Sequence, residues 1–105
     1  MKNQIDNNGN KTGYWESYYS NNQLSSKGNY DLNGNRVGYW EYYYPNANLW
    51  SKGNFENGMR VGCWKYYHFN GKLSANGNIN HLSNKTGYWE YYDYNGELSD
   101  IRYYT

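Results

Sequence analysis

His68, His81 and Cys63 are the side chains of this chain whose types suit metal ligation or nucleophilic attack. A metal site needs three or four such groups converging on one point. The two histidines stand thirteen residues apart, in positions that do not correspond to one another. Cys63 occupies a place that tyrosine fills in three equivalent segments, so it reads as a tolerated replacement and not as a nucleophile. Glu16, Glu41 and Glu90 recur at one register, with Lys65 in that place in the remaining copy. Carboxylates in a row along a sheet suit pairing with basic groups across a strand pair. General acid–base work needs two of them facing a cleft. Every glycine belongs to a turn or strand pattern, which leaves none for a phosphate-cradling loop. The expectation is a non-enzymatic protein with no catalytic residue, metal or cofactor.

The elements around these residues are written four times. Gly13-Tyr14-Trp15-Glu16, Gly38-Tyr39-Trp40-Glu41, Gly62-Cys63-Trp64-Lys65 and Gly87-Tyr88-Trp89-Glu90 are spaced by 25, 24 and 25 residues. Each copy opens with a segment of aromatic residues, such as Gly38–Tyr44, and passes a polar turn. A second segment then starts at Leu24, Leu49, Leu73 or Leu98. Asn33-Gly34, Asn57-Gly58, Asn70-Gly71 and Asn95-Gly96 suit turns that need positive φ. Aromatic runs joined by such turns read as β-hairpins. The spacing predicts one domain over residues 1–105 in four units, approximately 6–30, 31–55, 56–79 and 80–104. The fold class is all-β: a single-layer antiparallel meander of repeated hairpins, an elongated twisted sheet of about eight strands.

Composition agrees with a thin sheet. The chain has 16 Tyr, 5 Trp and 12 Gly, Asn is its commonest residue, and aliphatic side chains are few. Apolar surface is therefore carried by rings. Period-2 alternation places Gly38, Trp40, Tyr42 and Tyr44 on one face, with matching sets in the other copies. A strand glycine is destabilising unless something uses the bare backbone. Gly13, Gly38, Gly62 and Gly87, recurring beside tryptophan, predict a ring from a neighbouring strand lying over glycine. Trp15, Trp40, Trp64 and Trp89 are expected to form a ladder with Leu24, Leu49, Leu73 and Leu98. On the opposite phase, Tyr14, Tyr18, Tyr39, Tyr43, Tyr67, Tyr88 and Tyr92 make the candidate interaction surface, unless a bulge intervenes. The Met1–Asn10 stretch is expected to cover one sheet edge.

Formal net charge is +1, and the signs are mixed along the chain without a basic stripe. No nucleic-acid partner is expected on that ground. No segment is apolar enough to span a membrane and no leader is visible, so a cytoplasmic location is the default. Cys63 is the single cysteine and has no partner for an internal disulfide. Asn10-Lys11-Thr12 and Asn84-Lys85-Thr86 match the glycosylation triplet, which arises easily by chance in an Asn-rich chain.

Tyr30, Asn33, Gly34, Arg36, Gly38, Trp40, Tyr43, Leu49, Gly53 and Phe55 together resemble one MORN repeat, in the variant found in YwqK-like antitoxin components. The next copy repeats the pattern with Phe55, Asn57, Gly58, Arg60, Gly62, Trp64, Tyr67, Leu73 and Gly77, and the likeness runs over about residues 6–104. Departures are the turns Ser20–Gln23 and Tyr44–Asn48, which lack Asn-Gly, Ser83 in place of a turn glycine, and Arg102 in place of the last strand glycine. The resemblance implies an elongated sheet of hairpins that serves as a scaffold for protein contacts, and in some members for membrane-lipid contact. Its antitoxin form implies binding of a partner toxin. The expected function is thus protein–protein interaction, with a partner or with a second copy, through the aromatic face or a sheet edge. The alternative is a carbohydrate or cell-wall-binding module: Lys65-Tyr66-Tyr67-His68-Phe69-Asn70-Gly71 resembles aromatic choline-binding repeats. Those repeats are shorter and join Gly directly to Trp.

Overall fold

The computed structural model describes residues 2–105. They form one open antiparallel sheet of nine strands in sequence order: β1 (Gln4–Ile5), β2 (Lys11–Tyr18), β3 (Leu24–Tyr30), β4 (Arg36–Tyr43), β5 (Leu49–Glu56), β6 (Met59–Tyr67), β7 (Leu73–Ile79), β8 (Lys85–Tyr92) and β9 (Leu98–Tyr104). The extents, 48 × 34 × 16 Å, are those of a slab one sheet thick. The strand beyond the expected eight is β1, which pairs Gln4 with Thr12 and Ile5 with Lys11. It covers the free edge of β2, the role anticipated for the N-terminal stretch, of which Met1 lies outside the described residues. No helix of the described chain is long and apolar enough to cross a membrane.

Polar turn residues set the register. Asn57 and Gly58 both have positive φ and close a two-residue hairpin between Glu56 and Met59. The longer turns are stitched by one side chain each: Asp31 Oδ1 accepts from the amides of Asn33 and Asn35. Asp6, Asn80 and Asp93 do the same in their turns. Where Asn-Gly is missing, Asn22, Ala47 and Ser83 take the positive φ themselves.

Two bulges per repeat decide the faces. Between β3 and β4 the pairing jumps from Lys27↔Glu41 to Asn29↔Val37, so Gly28 alone stands opposite Gly38, Tyr39 and Trp40. Gly53 and Gly77 stand likewise opposite Gly62–Trp64 and Gly87–Trp89. The bulge throws each indole back over the preceding strand. A Cβ built on Gly28, Gly53 or Gly77 would come within 2.1, 2.3 or 2.3 Å of the ring of Trp40, Trp64 or Trp89. The bare backbone under the rings is therefore on the second strand of each hairpin, which corrects the expectation for the glycines beside tryptophan. Gly13, Gly38, Gly62 and Gly87 have open space where a Cβ would be, and are needed for φ near +70° in the bulge.

The second bulge overturns the tryptophan–leucine ladder. Pairing passes from Tyr42↔Ser51 to Tyr43↔Leu49, leaving Trp50 as the extra residue, and the other hairpins repeat this at Ser25, Ser74 and Ser99. One inserted residue reverses the alternation. Leu24, Leu49, Leu73 and Leu98 consequently pair with Tyr18, Tyr43, Tyr67 and Tyr92, on the face away from tryptophan. The core is instead Trp40, Phe55, Trp64, Ala75, Ile79 and Trp89, flanked by Tyr30, Tyr42, Tyr66, Tyr91 and Tyr104. Each buried indole contributes about 4–6 kcal/mol of transfer free energy, several times a cross-strand pair. Trp15, with only β1 before it, stays half-buried.

Candidate functional site

The sheet presents two faces of different chemistry. On the first, the indoles lie in line, each donating its Nε1–H to a backbone carbonyl of the preceding strand: Trp15 to Gln4, Trp40 to Asn29, Trp64 to Asn54 and Trp89 to Asn78. Trp64 and Trp89 have no exposed surface. Each ring has a glycine backbone or the preceding strand on one side and a cation on the other. Lys11 Nζ stands 4.9 Å from the Trp15 ring centre, Arg36 Cζ 5.4 Å from Trp40, Arg60 Cζ 5.1 Å from Trp64, and Lys85 Nζ 4.9 Å from Trp89. Arg102 continues the row over Tyr91. The folded sheet thus lines up, on one face, the basic residues that the sequence writes once per copy two positions before each glycine. Among the described residues no carboxylate pairs with Lys11, Arg36, Arg60 or Lys85; Arg102 pairs with Asp100 at 2.9 Å. Arg60 Nε and Ser51 Oγ are buried on this face without a hydrogen-bond partner.

The same face holds a concavity of about 590 Å³ walled by Tyr44, Trp50, Tyr66, His68, Trp89 and Tyr91, with Lys85 at its margin. Trp50 packs edge-on against Tyr42 and stays 41% exposed. It is the residue displaced by the bulge, where the other copies carry serine. Sequence alternation missed Trp50, because only the bulge tells which way it faces.

On the opposite face the tyrosines surround the repeated glutamates. Glu16 accepts from Tyr14 and Tyr18 and from Lys2 Nζ at 2.7 Å; Glu41 accepts from Tyr39 and Tyr43, with Lys27 Nζ at 3.4 Å; Glu90 accepts from Tyr92. Cross-strand lysines were anticipated for these carboxylates. The flanking phenols were not, although Tyr-x-Glu-x-Tyr is written at residues 14–18, 39–43 and 88–92. The Lys2 ammonium, followed by Tyr18 and Tyr14, holds the Glu16 carboxyl down at about 2. For Glu41 burial pushes upward, but the hydrogen bonds from Tyr43 and Tyr39 prevail and lower it. Burial, then the bond to Glu41, pushes Tyr39 up to about 12, and the same causes raise Tyr43.

The candidate tyrosines therefore divide. Tyr18, Tyr39 and Tyr88 are 50%, 49% and 70% exposed, and Tyr14, Tyr43, Tyr67 and Tyr92 are partly covered. Tyr88 leans on Tyr103, which is also exposed. The candidate chemical groups do not converge. His68 Nε2 lies 2.9 Å from the Tyr92 carbonyl, where Tyr19 and Tyr44 place hydroxyls on the carbonyls of Tyr43 and Tyr67. His81 sits in a turn and Cys63 is exposed. No group of three or more His, Cys, Asp or Glu is arranged for a metal among the described residues.

Comparison with known proteins gives one family. The model of the MORN repeat variant matches residues 11–32, 36–57 and 60–81, more than half of the chain. No curated protein and no solved structure matches.

Proposed function

Because the chain belongs to the MORN repeat variant family, whose members are generally non-enzymatic repeat modules, we propose that it is a scaffold that binds a protein partner. The observation that carries this reading is the set of exposed phenols, Tyr18, Tyr39, Tyr88 and Tyr103, on a face that no second layer covers among the described residues. Rings with hydrated hydroxyls are suited to protein contacts. Docking on the face is the form proposed here, since the charged pair Arg102–Asp100 on β9 disfavours strand addition there. A partner toxin is the finer form of the proposal. It is supported by the likeness of the repeat to YwqK-like antitoxin components, and a toxin encoded beside the gene tests it. Co-purification of the tagged chain from its native cell, with light scattering, tests the broader form. A retained protein lost from Tyr39→Ser/Tyr88→Ser supports it, and a bare monomer overturns it.

A second reading rests on the concavity, where Trp50 presents an open ring beside Tyr44 and His68. Such walls suit stacking on a sugar ring. Glycan-array binding that Trp50→Ser abolishes would favour a carbohydrate module.

A further inference from the structure

The tryptophan face carries a regularity that the tyrosine surface does not share. Lys11, Arg36, Arg60 and Lys85 are offered once per hairpin from β2, β4, β6 and β8, each laid on an indole. Successive cations are therefore two strand spacings apart, about 9–10 Å. Phe55 lies between Arg36 and Arg60, 5.8 and 5.7 Å from their guanidinium carbons, and the half-buried rings of Tyr30, Tyr42, Tyr66 and Tyr91 pack on the same face. The repeated glutamates all lie on the other face, so this row lacks counter-charge until Asp100 at its far end.

We propose that this face docks an acidic protein segment in the polyproline II conformation, with a carboxylate at every third residue. A polyproline II helix advances about 9.3 Å per three-residue turn, so side chains three apart point the same way at the period of this array. An extended β-strand repeats its facing side chains at about 6.6–6.8 Å and falls out of step within two cations. Proline rings between the carboxylates meet tyrosine faces, the packing by which aromatic grooves recognise such helices. Single-stranded nucleic acid is the competing anion. It binds by stacking bases on open aromatic faces. Here each indole of the row is already occupied by backbone below and a cation above, which leaves bases only Trp50 and the half-buried tyrosines and no regular ladder of open rings. The proposal concerns a different surface from the tyrosine face and stands or falls apart from it.

The experiment is calorimetric titration of the whole chain with a peptide of four Pro-Pro-Glu triplets. Comparison ligands are the Pro-Pro-Gln peptide, an isomer with glutamate at every second position, and oligothymidylate. The triplet peptide is expected to bind one to one, and Arg36→Gln/Arg60→Gln to weaken it about tenfold. Lys52→Gln/Lys65→Gln, which removes equal charge from the other face, is expected to leave binding unchanged. The Gln-for-Glu peptide tests the carboxylates without disturbing the protein fold. Equal affinity for the two glutamate spacings, equal losses in the two double variants, no binding of the triplet peptide, or tighter binding of oligothymidylate would each overturn the proposal. A cellular partner that depends on Tyr39 and Tyr88 would still be captured in those cases.

Discussion

Trp64 stands over Gly53 with no exposed surface, while on the other side of the sheet Tyr39 and Tyr43 gather their hydroxyls around Glu41. The first arrangement is steric and apolar, set by the absence of a Cβ. The second is polar, partly exposed, and depends on the charge state of one carboxylate. Most of the apolar burial is thus on one face, and the carboxylates held low are on the other. Trp64→Ala should therefore lower unfolding free energy by about 3–5 kcal/mol. Tyr88→Ala, on the other face, should lower it by less than about 1 kcal/mol. Urea unfolding followed by fluorescence and circular dichroism checks both, and similar losses at the two sites would break the contrast.

Within β4 and β5 the comparison sharpens to two glycines. Gly53→Ala places a methyl 2.3 Å from the Trp64 ring, and its cost should be about 3 kcal/mol. Gly38→Ala meets no atom within 4 Å but keeps φ at +72°, so it should cost about 1–2 kcal/mol in backbone strain alone. Stability curves of the two variants should separate accordingly. If Gly38→Ala proves the more damaging, the landing of ring on backbone is not what selects Gly53.

These glycines also mark how far the sequence could be read. The period of Gly-Tyr-Trp-Glu and the Asn-Gly turns led directly to a meander of hairpins, because turn chemistry and strand alternation are local. The phase of the leucines was not legible. A bulge residue such as Ser25 or Ser74 resembles any other small strand residue, and only the observed pairing shows the inserted step. The basic position was legible, since Lys11, Arg36, Arg60 and Lys85 each stand two residues before a repeated glycine, but that they lie over the indoles on one face was not. Tyr-x-Glu-x-Tyr was open to view, since residues two apart on a strand share a face, but its hydrogen bonds needed side-chain geometry.

The polar face should announce itself in pH. Glu16 is held at about 2 against an ordinary 4.5, and Glu41 is also lowered, so their stabilisation is full above about pH 4.5 and lost as pH falls toward 2. Tyr39 is raised from 10.0 to about 12; its contribution is full below 10.0 and lost as pH rises through 12. The urea midpoint should be level between those windows and fall at both ends. Glu16→Gln/Glu41→Gln should flatten the acid limb, because the indole stack contains no carboxylate. An acid limb unchanged in that variant would place the titrating groups elsewhere.

The smallest effect is expected at β9. Arg102 pairs with Trp89 across β8 and β9, the place that Gly28 takes opposite Trp15, Gly53 opposite Trp40 and Gly77 opposite Trp64. Glycine is required at the three earlier positions because the next indole must land there. Among the described residues no further indole lands on β9, and a long side chain is tolerated. Arg102→Gly removes an exposed ion pair and a cation 5.7 Å from the Tyr91 ring, and adds some backbone freedom. Its loss should stay below about 1 kcal/mol. Gly77→Arg, the same exchange reversed one hairpin earlier, would drive its Cβ into the Trp89 ring and should abolish cooperative unfolding. The pair separates a rule about the sequence position from a rule about the arriving ring: comparable losses would mean that glycine serves the strand itself, and a wide gap would mean that it serves the tryptophan above it.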